Sequence, residues 1–85
     1  MNMVSPLQTL RLQFFSSLAE RKAIREIQLC AADIDSGILQ AASFPWPPGS
    51  GAWRLSDLND REVAYRFKED TDGRPGMIVK FADND

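Results

Sequence analysis

Histidine is absent from this 85-residue chain. Its absence removes the commonest general base, the usual partner of a serine or cysteine nucleophile, and the commonest metal ligand. Cysteine occurs once, as Cys30, so no internal disulfide can form and a zinc site of the usual kind has no second thiolate. A single thiol suits a reducing compartment. Cys30 sits in the apolar run Leu29-Cys30-Ala31-Ala32, which predicts a buried small hydrophobe rather than a reactive thiol. No Gly-rich phosphate loop with its lysine is present; Gly49-Ser50-Gly51 lacks that context and reads as a flexible loop. No apolar window approaches about 18 residues, so no membrane span is expected. Near the start, Gln8, Arg11 and Gln13 interrupt the apolar residues, and no signal-peptide core forms. A cytoplasmic location follows as the expectation. A large charge excess is also missing: 10 Lys and Arg stand against 12 Asp and Glu, a net charge of −2. A protein that coats nucleic acid is normally basic.

Carboxylates are the remaining catalytic option. Asp33 and Asp35, Asp57 and Asp60, and Glu69, Asp70 and Asp72 are each close in sequence. None fits a calcium loop, and each group sits where a solvated turn wants polar residues. The chain is therefore expected not to be an enzyme, and no cofactor or metal is expected.

The length suits one domain over 1–85, with a thin core. Ser5-Pro6-Leu7-Gln8 has the form of a helix capping box with proline at the first helical position. Leu7, Leu10, Phe14 and Leu18 follow at helical spacing and predict a helix over about 5–20. A second series, Ile24, Ile27, Ala31, Ile34, Ile38 and Ala41, extends helical character to about residue 34. Ile27, Leu29 and Ala31 also alternate, so a strand with a turn at Asp35-Ser36-Gly37 competes over 25–43. Pro45, Pro47 and Pro48 end any helix. Beyond them, Trp53 and Leu55, then Val63, Tyr65 and Phe67, then Met77, Val79 and Phe81 alternate. They predict an antiparallel meander at about 52–56, 62–69 and 76–82, with those residues facing inward. The expected fold is α+β: N-terminal helix or helices at about 5–34 packed on a C-terminal three-stranded sheet.

Two features point to binding. Phe44, Trp46 and Trp53 flank a proline-stiffened loop, and tryptophan is enriched at binding hot spots. If Val63, Tyr65 and Phe67 face inward, then Arg54, Arg66, Lys68 and Lys80 share the outer sheet face and could grip phosphates or an acidic protein surface. The expected function is a non-enzymatic protein-binding module, a small regulator, inhibitor or adaptor. A short chain with two apolar helix faces is also expected to self-associate as a homo-oligomer. The alternative is a nucleic-acid-binding accessory that uses the basic sheet face.

Overall fold

The computed structural model describes residues 7–81. It contains five strands and one helix: β1 (Gln8–Phe15), β2 (Arg25–Ala31), α1 (Ile34–Ser43), β3 (Ala52–Asp57), β4 (Glu62–Phe67) and β5 (Ile78–Lys80). The strands form one sheet in the order β2-β1-β3-β4-β5, and every neighbouring pair is antiparallel.

The expected α+β fold is overturned: the described residues are mostly β, with one short helix on a five-stranded antiparallel sheet. Residues 8–15 are a strand, not a helix, and Ser5 and Pro6 of the capping box lie outside the described residues. The physical reason is that Leu10, Leu12 and Phe14 alternate with Thr9, Arg11 and Gln13. A half-buried strand fits that pattern as well as a helix fits Leu7, Leu10 and Phe14. Two flanking strands supply pairing that a lone helix lacks. Leu10, Leu12 and Phe14 lie opposite Leu29, Ile27 and Arg25 of β2. On the other side Leu12 and Phe14 lie opposite Leu55 and Trp53 of β3. The helical series from Ile24 is in fact two elements. Ile27, Leu29 and Ala31 belong to β2, whereas Ile34, Ile38 and Ala41 belong to α1. Asp35-Ser36-Gly37 makes no hairpin turn; it is the first turn of the helix. The three C-terminal segments are three of the strands of a five-stranded sheet, not a free-standing meander.

The core lies on one face of the sheet. Leu10, Leu12 and Phe14 of β1, Leu29 and Ala31 of β2, Trp53 and Leu55 of β3, and Val63 and Ala64 of β4 pack with Ile38 and Ala41 of α1. The Pro-rich segment after α1 closes the same side. Trp46 meets Phe14 edge-on, with ring centroids 5.8 Å apart. Gly37 lets the helix approach β1, because a Cβ there would collide with Leu10. Among the described residues, no helix covers the other face.

A bulge in β4 decides which side chains reach each face. Leu55 pairs with Ala64, but Ser56 pairs with Glu62, so Val63 is the extra residue. Both Val63 and Ala64 are buried, while Glu62 joins the helix-free face.

Leu12 occupies the middle of the central strand and is fully buried. Leu12→Ala should therefore cost about 2–5 kcal/mol, a large part of the stability of so small a domain. Gln13→Ala, on the opposite face of the same strand, should cost under about 1 kcal/mol. Urea unfolding of the two variants checks the pair of values.

Candidate functional site: the helix-free face of the sheet

Register assigns the side chains of this face. Gln13 pairs with Arg54 and Arg54 with Tyr65, so all three project from one side, opposite Phe14, Trp53 and Arg66. Val79 pairs with Tyr65 and joins them. The face has two unlike halves.

The half over β2, β1 and β3 is polar and internally paired. The Arg11 guanidinium donates to Asp60 at 2.6 Å and lies 3.7 Å from Glu26. Gln13 donates to Glu26 at 2.9 Å. Arg54 lies 3.4 Å from Glu62 and stacks over the Phe15 ring at 5.2 Å. Phe15 itself is buried there. Arg54 also reaches the Leu18 carbonyl at 3.5 Å. Each arginine of this half thus has a carboxylate beside it, which leaves little free positive potential.

The half over β4 and β5 is apolar. Tyr65 packs edge-on against Phe67, with centroids 5.7 Å apart, and against Phe81 at 5.6 Å. Phe67 is 45% exposed, Phe81 42%, Val79 39% and Met77 84%. These side chains are adjacent, so the exposure is one patch, not scattered residues.

The face expectations beyond Val63 are inverted. Tyr65, Phe67 and Val79 project outward, while Arg66 and Lys80 project on the core side. Trp53, Leu55 and Val63 do face the core as expected, but β4 does not keep one phase along its length. Trp53 and Leu55 fill the interior from β3, and the Val63 bulge then turns Tyr65 and Phe67 away from it. The four cations do not share a face. Arg66 donates to the Gly76 carbonyl at 2.9 Å, Lys80 pairs with Asp35 at 2.7 Å, and Lys68 lies exposed beyond the end of β4. Of the loop aromatics, Trp53 is 1% exposed and is core; Phe44 and Trp46 are partly buried against that core. Cys30 is exposed, because its neighbours Leu29 and Ala31 take the inward positions of β2. Nothing in single-sequence alternation marks a bulge.

The carboxylate groups build local structure. Asp57 accepts from the Asn59 and Arg61 amides, both at 2.9 Å, and Asp70 accepts from those of Asp72 and Arg74 at 2.8 and 2.9 Å. The two acids brace two β-turns in the same way. Asp33 caps α1, accepting from the Ser36 amide at 2.7 Å. Beside that cap an open cleft of about 280 Å³ is lined by residues that include Asp33, Asp35, Arg61, Glu62 and Lys80. Among the described residues, no group of three or more His, Cys, Asp or Glu is placed to hold a metal ion. No helix among them is long and apolar enough to cross a membrane.

No family model, curated protein or solved structure matches this chain.

The hydrogen bonds from Ser36 hold the Asp33 carboxyl below its ordinary pKa, with a smaller contribution from Lys80. A lowered folded-state pKa contributes stability above the unfolded value, and that contribution is lost as pH falls. Asp33→Asn keeps a capping oxygen but cannot titrate. Between about pH 5 and 3 its melting temperature should therefore fall less than that of the wild type. Parallel thermal melts across that interval check the difference.

Proposed function

We propose that this chain is a protein-binding module, acting by surface complementarity rather than catalysis, and that it docks its partner on the β4–β5 half of the helix-free face. The observation that carries this reading is the contiguous exposure of Phe67, Met77, Val79 and Phe81 around Tyr65. A patch of adjacent aromatic and aliphatic side chains rimmed by charge has the anatomy of an interface core with its polar rim. The partner is a protein surface with an apolar centre and charges of both signs at its edge, complementary to Arg54, Glu62, Arg11 and Asp60.

Nucleic acid is the weaker reading. The three rings lean on one another at 81° and 48° instead of lying flat as platforms for bases. The nearby arginines face carboxylates, and Arg66 and Lys80 project on the opposite side. A phosphate backbone would meet a neutralised surface.

The double variant Phe67→Ser, Phe81→Ser tests the reading. Wild type and variant, each folded by circular dichroism, serve as baits in nuclease-treated host extract, with Leu39→Ser on the exposed side of α1 as a control. A protein retained by wild type and control, and reduced at least about tenfold by the double variant, is the expected result. Equal retention by all three baits overturns it. So does salt-sensitive binding of single-stranded RNA or DNA by the purified chain.

A further inference from the structure

The sheet has two edges, and they differ. β5 is three residues long, whereas β2 runs for seven without proline. Which backbone groups of β2 face outward follows from its neighbours. The Phe15 carbonyl accepts from Gly51, on the β3 side, and the Phe14 carbonyl accepts from Ile24, on the β2 side. Alternation then points Leu10, Leu12 and Phe14 toward β2, and their partners Leu29, Ile27 and Arg25 back toward β1. The N–H and C=O groups of Glu26, Gln28 and Cys30 face the open edge. Gln40 confirms the direction: its side-chain amide reaches around from α1 to the Cys30 carbonyl at 2.9 Å. Among the described residues, no hydrogen bond engages the outward backbone groups of Glu26 and Gln28.

We infer that the chain forms a two-fold dimer by antiparallel pairing of β2 with β2 of a second copy, centred on Ile27. In this register Glu26 lies opposite Gln28 of the second copy, and Gln28 opposite its Glu26. The four unengaged N–H groups and carbonyls of each copy find one another, four backbone bonds in all. The edge groups that are already engaged also coincide. Ile24, whose N–H is bonded to Phe14 at 2.7 Å, falls opposite Cys30, whose carbonyl holds Gln40. No existing bond has to break. A register centred on Gln28 would instead ask the Cys30 carbonyl to serve Glu26 as well.

The side chains agree with the Ile27 centre. On the core side, Ile27 meets its own mate across the axis, and Arg25 meets Leu29. On the other side, Glu26 meets Gln28, an acceptor against a donor. No like charges stand directly opposite one another, and each Glu26 is already held by its own Arg11 and Gln13. The two-fold axis is perpendicular to the sheet, so ten strands become continuous. Both helices lie on one side and both aromatic patches on the other. This pairing is independent of what docks on those patches.

An edge contact of this size is at the small end of specific interfaces, so the dimer should dissociate at concentrations on the order of 100 μM. Sedimentation equilibrium up to about 1 mM is expected to show it. Gln28→Pro removes an outward N–H without touching the β1 ladder, and should weaken the dimer at least about tenfold. Cross-linking fixes the register and serves also if that proline impairs folding. In a Cys30→Ser background, Ile27→Cys puts two thiols across the axis with Cα atoms about 4.5 Å apart, within disulfide reach. Mild oxidation should link that variant and leave Gln28→Cys, in the same background, unlinked. Phe67→Ser, Phe81→Ser should dimerise as wild type does. A chain that stays monomeric throughout overturns the inference. So does a dimer that cross-links through position 28 and not 27, or one lost with the two phenylalanines.

Discussion

Leu10, Leu12 and Phe14 hold the molecule together from the middle of the sheet. Their strand is hydrogen-bonded on both sides, and their side chains touch the helix, the Pro-rich loop and the neighbouring strands. β1 is first in the chain but central in space, so its two ladders join segments far apart in sequence. One partner, β2, follows closely. The other, β3, arrives only after α1 and the loop. Non-local pairing of this kind brings a loop-closure cost that apolar burial along β1 must offset. The helix contributes a lid. Its ten residues cover the β2 side of the core, and Gly37 sets how near it comes.

The two faces of the sheet divide the labour. One face buries Leu10, Leu12, Phe14, Trp53 and Leu55 and is closed by α1, Phe44 and Trp46. The other is open and split between paired charges and packed rings. Among the described residues, five strands and one short helix leave that second face without cover. A sheet can stay stable with one wet face, and the arginine–carboxylate pairs over β1 and β3 fit that role. The rings over β4 and β5 do not, and this contrast within one surface is what points to a partner.

Legibility in the sequence varied along the chain for physical reasons. The segments at Trp53–Leu55 and Tyr65–Phe67 could be recognised as strands because alternation there has no helical rival. At Leu7–Leu18 the same side chains satisfy both periods, and the decision lies in partners that no local window contains. Ile24 to Ala41 looked like one helical stripe because β2 and α1 bury the same core from consecutive positions. Asp33 was the boundary, and beside Asp35 it resembled any surface aspartate until its oxygen was seen on the Ser36 amide. Facing was harder than element type. Period-two reasoning fixes which residues share a side, but only packing says which side is wet. Tyr65, Phe67 and Val79 were grouped together rightly and aimed wrongly.

The extra residue at Val63 has a consequence beyond β4 itself. Upstream of it Glu62 looks toward solvent with Arg54; downstream Ala64 and Arg66 look inward, and Tyr65 and Phe67 outward. The strand therefore carries a phase shift at a single point, like a stitch added to one row. The added stitch changes what the strand buries rather than what it shows. With Val63 removed, Glu62 and Ala64 would fall opposite Ser56 and Leu55 in an unbroken ladder, Tyr65 and Phe67 would keep their outward aim, and the interior would lose one aliphatic side chain.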